Sequence, residues 1–136
     1  MANSSLRISR GNNEFYKYES KNRIIGKPWG YERIIEHNSD YMIKELVIQS
    51  GEELSLQYHL LKKETMVFQR GNGDIYFGYN PISLEHIRYY PGFSITFDPL
   101  IIHKVITSEY TIVLECSTSF FEDTIRISDK YGRKNI

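Results

Sequence analysis

Apolar and polar residues along this chain alternate with a period of two over most of its length, and almost nowhere recur at helical spacing. In residues 51–71, GEELSLQYHLLKKETMVFQRG, Leu54, Leu56 and Tyr58 interleave with Ser55, Gln57 and His59. Residues two apart on a strand share a face, so Gln57 and His59 are expected side by side, opposite the leucines. After a short LLKK bend, Glu64, Met66 and Phe68 are expected on one face of the next strand, so that carboxylate and imidazole meet across a hairpin. Gly71-Asn72-Gly73 predicts a second tight hairpin, joining Glu64–Arg70 to residues 75–79. Pro28 and Gly30 flank Trp29, an anchored turn into a strand over 31–36. Further strands are predicted over 41–48, 84–90, 93–97, 104–107 and 110–116, with breaks at Asn80-Pro81, Pro91-Gly92, Asp98-Pro99 and Ser108-Glu109. Short strands at this regular spacing indicate an all-β sandwich or barrel of antiparallel strands.

A chain of 136 residues is long enough for one such core and too short for two. Polar residues 1–22, which carry Phe15, Tyr16 and Tyr18, read as an N-terminal arm that is either disordered or packed on the barrel or a partner subunit. That leaves 23–136 as a single domain. Seventeen basic residues balance seventeen acidic ones, which argues against a nucleic-acid partner. No apolar stretch has the length of a signal sequence core or a membrane span, so no membrane partner and a cytoplasmic location are expected. The only cysteine, Cys116, lies in the apolar run TIVLEC and reads as a small buried side chain. His37 and His86 sit in polar surroundings and read as solvated. The eleven tyrosines are expected to fill the sheets and subunit contacts.

Gln57, His59 and Glu64 offer an amide oxygen, an imidazole and a carboxylate within eight residues, and His103 could complete a metal site. By spacing alone, Gln-x-His on a strand more often marks a solvated face. The surrounding glycines add to the pattern. Gly51, five residues, Gln57, one residue, His59, four residues, Glu64, six residues, Gly71 resembles the first motif of the cupins. Gly92 followed eleven residues later by His103 resembles the second. Leu54-Ser55-Leu56-Gln57-Tyr58-His59 is similar to the motif of the cupin domain of type II phosphomannose isomerases. So is the entry Lys27-Pro28-Trp29-Gly30-Tyr31. The ending Leu114-Glu115-Cys116-Ser117-Thr118, then Glu122-Asp123-Thr124-Ile125-Arg126 and Ser128-Asp129-Lys130-Tyr131-Gly132-Arg133, resembles that of short isomerase-like cupins.

This resemblance, over roughly residues 27–133, implies a double-stranded β-helix (the cupin jelly roll) and a homodimer. It implies a divalent metal held by Gln57, His59, Glu64 and His103: zinc first, with manganese, iron or nickel as alternatives. It implies that Arg126 folds back toward the barrel mouth to meet an anionic group, with Arg133 as a second substrate-binding residue. The chain departs from the pattern at several places. Lys62 and Glu64-Thr65-Met66 stand where Arg and Glu-His-Trp are usual. Asp98 and Leu100 stand where the second motif has Pro and Gly, and Thr107 where it has Asn. These changes are expected on the pocket wall.

Such a metal, bound to the carbonyl and adjacent hydroxyl of an open-chain sugar phosphate, would acidify the C2 proton and stabilise an enediolate. The expected function is therefore a sugar-phosphate isomerase resembling mannose-6-phosphate isomerase, serving activated-sugar or polysaccharide synthesis. Lys62 and Glu115 are the candidate bases, and spacing does not choose between them. The alternatives are a cupin that binds a sugar or sugar nucleotide without turnover, and a mononuclear iron dioxygenase.

Overall fold

The structure is a computed structural model that describes Leu6 and residues 23–135. The arm expected over residues 1–22, with its three aromatic residues, lies outside the described residues apart from Leu6. Eleven strands follow in order: β1 (Arg23–Lys27), β2 (Gly30–His37), β3 (Met42–Ile48), β4 (Leu56–Tyr58), β5 (Glu64–Arg70) and β6 (Gly73–Gly78), then β7 (Glu85–Tyr89), β8 (Ser94–Phe97), β9 (Ile102–Thr107), β10 (Thr111–Ser117) and β11 (Ile125–Ser128). They form two antiparallel sheets, a six-stranded one in the order β1-β2-β3-β10-β5-β8 and a five-stranded one in the order β11-β4-β9-β6-β7. This is an all-β jelly roll. Among the described residues no helix is long and apolar enough to cross a membrane.

Alternation explains the layering. In β5 the residues Glu64, Met66 and Phe68 are buried, while Thr65 and Val67 are only partly so. In β10, Thr111, Val113, Glu115 and Ser117 are buried on one face in the same way. These inward faces meet those of the opposite sheet in a core of Trp29, Leu46, Ile48, Met66, Phe68, Ile75, Tyr89, Phe97, Val105 and Val113. Phe68 stacks on Tyr89 with ring centroids 4.1 Å apart. The Tyr89 hydroxyl, buried with them, is satisfied by Thr111 Oγ1 at 2.7 Å.

Both expected hairpins of the central stretch are corrected by the topology. β4 belongs to the five-stranded sheet and β5 to the six-stranded one, so the LLKK bend carries the chain between sheets instead of turning it back on itself. Gly71-Asn72 is a tight link, yet it too crosses sheets, from β5 to β6. Gly71 has φ +91, and a side chain there would strike the Tyr110 carbonyl oxygen. Turn-forming residues report a sharp reversal; they do not report whether the flanking strands pair. The alternation expected over 54–59 also breaks, since Leu54 and Ser55 are both buried. Leu54 lies outside β4 and donates its N–H to Val105 O at 2.9 Å.

Two sequence expectations understated the sheets. A strand, β1, precedes the Trp29 turn and pairs with β2, and another, β11, lies in the C-terminal segment and pairs with β4.

Leu100, which occupies the position of a usual glycine in the second motif, retains the left-handed backbone that glycine serves, with φ 75. Its N–H donates to His59 O at 2.8 Å, so the strained loop is tied to the site. Leu100→Gly is expected to raise unfolding stability by up to about 1 kcal/mol through relief of this strain, and Leu100→Val to lower it, because a β-branched residue tolerates positive φ least. Urea denaturation midpoints would check both. A stabilised valine variant would contradict the strain argument.

Candidate metal centre and cavity

His59 directly follows β4, Glu64 opens β5 and His103 lies in β9, so the residues come from both sheets. All three are buried, at 3%, 1% and 1% exposure. One ligand atom from each lies within 4.8 Å of the others. Glu64 Oε1 is 3.2 Å from His59 Nε2 and 2.9 Å from His103 Nε2. Roughly 3 Å is the spacing of neighbouring ligands around one ion with bonds of about 2.1 Å.

Hydrogen bonding behind the rings settles what they present. His59 Nδ1 donates to Asp123 O at 2.8 Å, and His103 Nδ1 donates to Ile101 O at 2.9 Å. With Nδ1 so engaged, a ring in its neutral form turns an Nε2 lone pair toward Glu64, itself an acceptor. His103 Nε2 has no aligned hydrogen-bond partner despite its short approach to the carboxylate. Three buried acceptors pointing at one place call for a cation between them. The set fits a divalent metal, and its nitrogen and oxygen donors without thiolate suit zinc, manganese, iron or nickel. Burial alone would push the Glu64 carboxyl up. Where the rings carry a proton on Nε2, hydrogen bonds from His103 and His59, with the charge of Lys62, outweigh burial and hold it well below the usual carboxylate range.

Gln57 stands in register with His103 on one side and Arg126 on the other. It lines the same cavity as His59, with its Oε1 accepting from Ser55 Oγ at 3.2 Å. The cavity, about 510 Å³, reaches the cluster at His59. Of the residues singled out in the sequence, Gln57, His59, Lys62, Glu115, Arg126 and Arg133 all line it. Thr65, Met66 and Asp98, expected on its wall, do not: Thr65 bonds Thr96 on the outer face at 2.7 Å, Met66 packs in the core, and Asp98 pairs with Lys63 on the surface. These departures from the family pattern thus fall off the cavity wall.

A ladder of alternating charge connects the mouth to the cluster. Lys27 is 3.8 Å from Glu32, Glu32 is 3.5 Å from Lys44, and Lys44 is 3.5 Å from Glu115. Glu115 is 3.8 Å from Lys62, which is 3.3 Å from Glu64. Isolated, each buried charge would cost several kcal/mol, and the alternation of sign offsets that. Burial works against the Lys44 ammonium, yet Glu115, Glu32 and Glu64 together raise its pKa.

The sequence reading missed Lys44, Glu32 and Asp123. Lys44 shares the inward face of β3 with Met42 and Leu46, and a charge at period two on an apolar face was the available signal. Asp123 organises the LLKK bend: its carboxylate accepts the N–H groups of Leu60, Leu61 and Lys62 at 3.2, 2.6 and 2.9 Å. Burial would raise the Asp123 pKa, but these three hydrogen bonds outweigh it and the net shift is downward. The same residue's carbonyl orients His59. Nothing local in the sequence links positions so far apart.

The fold places the chain among known architectures. The family model described as mannose-6-phosphate isomerase C-terminal matches residues 13–92, more than half of the sequence. The chain belongs to the mannose-6-phosphate isomerase C-terminal family. Among curated proteins, none matches this family member by sequence. Solved structures with its fold include KdgF from a Halomonas species, at 14% identity and TM-score 0.62 over 80% of this chain and 94% of that one. A proposed sugar phosphate isomerase of Acidithiobacillus ferrooxidans matches at 18% identity and TM-score 0.52, over 60% and 51%. The capsular polysaccharide assembling protein CapF of Staphylococcus aureus matches at 14% and TM-score 0.59, and there this chain covers 85% of itself but only 33% of CapF.

Asp123→Ala is expected to weaken zinc binding by about 10–100-fold, the usual cost of losing a group that orients a metal ligand, and Asp123→Asn by less because one acceptor remains. Competition against a chromophoric chelator would read both. Equal affinities in all three proteins would show that the bend holds His59 without this carboxylate.

Proposed function

We infer that this cupin is a metal-dependent sugar-phosphate isomerase, interconverting an aldose and a ketose as mannose-6-phosphate isomerase does. The observation that carries the reading is the convergence of His59, Glu64 and His103, with His59 lining a cavity whose wall also bears Gln57, Lys62, Glu115, Arg126 and Arg133. His59, Glu64 and His103, with Gln57 as fourth ligand, would hold a divalent metal, zinc first. When bound, that ion supplies Lewis-acid polarisation of the substrate oxygens.

The chain's own groups supply the rest. Glu115, flanked by Lys44 and Lys62, is assigned as the proton acceptor, and Lys62, flanked by Glu64 and Glu115, as a donor. In this reading Glu115 removes the C2 proton and returns it to C1 as the carbonyl double bond moves from C1 to C2. The hydroxyl proton passes from O2 to O1. Lys62, between Glu64 and Glu115, donates toward negative charge developing on the sugar oxygens. Arg126 and Arg133 bind the anionic group. A place in activated-sugar or polysaccharide synthesis is supported by the family and by the shared fold of CapF; a cytoplasmic homodimer is part of the same reading.

Solvent deuterium exchange is the direct test. With zinc restored, a screen of hexose and heptose phosphates is expected to find one whose C2 proton exchanges and whose aldose and ketose interconvert. His59→Ala should lose metal and exchange together. Glu115→Gln should keep the metal and lower kcat by about 10²–10⁴, the contribution of a positioned base. Arg126→Ala should keep the metal, with the loss in KM if the guanidinium only holds the anion and in kcat if it meets charge in the transition state. Binding with no exchange over hours would replace the isomerase by a sugar-binding cupin, and oxygen consumption by the iron-loaded protein would replace it by a dioxygenase.

A further inference from the structure

Three cations from three separate parts of the chain line one cavity: Lys27 at the end of β1, Arg126 in β11 and Arg133 in the C-terminal segment. Two are held in place before any ligand arrives. Arg133 donates from Nε and Nη2 to the Asp129 carboxylate at 3.0 and 2.8 Å, and that carboxylate is almost fully buried. The backbone of Arg126 is clamped on both sides by the Asn135 side chain, which accepts from its N–H at 2.7 Å and donates to its carbonyl at 3.0 Å. Lys27 pairs with Glu32 at 3.8 Å, but Glu32 also serves Lys44.

The cluster is short of negative charge. Arg126 Nε is buried with no acceptor among the described residues. Burial lowers the Arg126 pKa, with the charge of Arg133 adding to it. Burial likewise lowers that of Lys27, against the attraction of Glu32 and with Lys44, Arg133 and Arg126 repelling it. Glu122 also lines the cavity, but no ion pair joins it to the three cations among the described residues. Mutually repelling, pre-oriented donors with an unmet hydrogen-bonding atom are what an anion would satisfy.

We propose that Lys27 completes, with Arg126 and Arg133, an anion subsite that takes a phosphate group carried by a sugar. The assignment of Lys27 rests on reading the cavity as a sugar site and adds a recognition residue to it. The register of Arg126 opposite Gln57 places the subsite one strand away from the candidate metal ligands. The phosphate is thus held at the end of the sugar away from C1 and C2, and apart from the metal. Arg126 supplies a planar fork to the phosphate oxygens, Arg133 the Nη donors that Asp129 leaves free, and Lys27 a point charge from the opposite sheet. A sugar phosphomonoester and a nucleotide-linked sugar both carry this group.

Calorimetric titration of the full chain, zinc-loaded and chelator-stripped, tests the assignment with mannose 6-phosphate, inorganic phosphate, mannose and nucleotide-linked mannose. The wild type is expected to bind the phosphate-bearing ligands in both metal states and to bind mannose far more weakly. Lys27→Met should weaken phosphate-dependent binding about tenfold or more, as the loss of a charge-assisted contact does, with zinc content unchanged. Lys27→Arg should recover most of it, and Lys104→Met, on β9 and outside the cavity lining, should change nothing. Tighter binding of the nucleotide-linked sugar would identify a diphosphate as occupant; tighter binding of the monoester would identify a simple sugar phosphate. Wild-type affinity in Lys27→Met, or equal affinity for mannose and its phosphate, would overturn the proposal. The isomerase reading fails separately: loss of binding in Lys27→Met without C2 exchange in the wild type leaves the subsite standing. Full exchange with unchanged KM in Lys27→Met leaves the isomerase standing and removes Lys27.

Discussion

Three lone-pair donors brought face to face in a dry interior repel one another unless something positive stands between them, and the architecture around Glu64, His59 and His103 is arranged to keep them there. Each imidazole is fixed from behind by a backbone carbonyl, so neither ring can turn its N–H inward without breaking that bond. His103 is further held by Phe97, whose ring lies parallel to it with centroids 4.1 Å apart. The sheets must approach closely enough for a β5 carboxylate to reach a β9 imidazole. That closeness comes from the aromatic core around Phe68 and Tyr89, so the site and the core share one packing problem.

The charge ladder from Lys27 to Glu64 extends the same constraint outward. A buried carboxylate such as Glu115 is tolerable only between Lys44 and Lys62, and Lys44 only between Glu32 and Glu115. Removing one member strands its neighbours, so single substitutions along the ladder should be coupled rather than additive. A polar interior of this kind stabilises the fold poorly in comparison with an apolar one. Its presence beside the His59, Glu64 and His103 cluster marks the interior as a candidate functional site.

The periodicity gave the strands because burying one face of a sheet leaves a local trace in every second residue, as in Glu64, Met66 and Phe68. The candidate ligands were legible because their spacing matched a motif, not because alternation pointed to them. Sheet membership was not legible. Gly71-Asn72 and LLKK look like hairpin turns, and whether β4 pairs with β5 or with β9 is decided by contacts dozens of residues distant. Asp123 was hidden for the same reason: its partners, Leu60 to Lys62, are defined only once the C-terminal segment has folded over the bend. Arg126 was placed near the mouth by resemblance, and its register opposite Gln57 gives that placement a backbone cause.

The links that complete the site span more than half of the described chain. His59 meets Asp123 across 64 residues, and Glu53 N–H meets the Tyr131 hydroxyl across 78. Contacts of such separation form slowly, because a long loop must close before any of them stabilises the chain. On the ribosome, the bend bearing His59 and Glu64 emerges well before the segment that braces it. The early chain can collapse around its aromatic residues, but its ligands stay unbraced until residues 123–131 arrive. Tight metal capture at this candidate site would thereby await residues 123–131, and a nascent chain stalled before Asp123 would carry every candidate ligand without the geometry to bind an ion tightly.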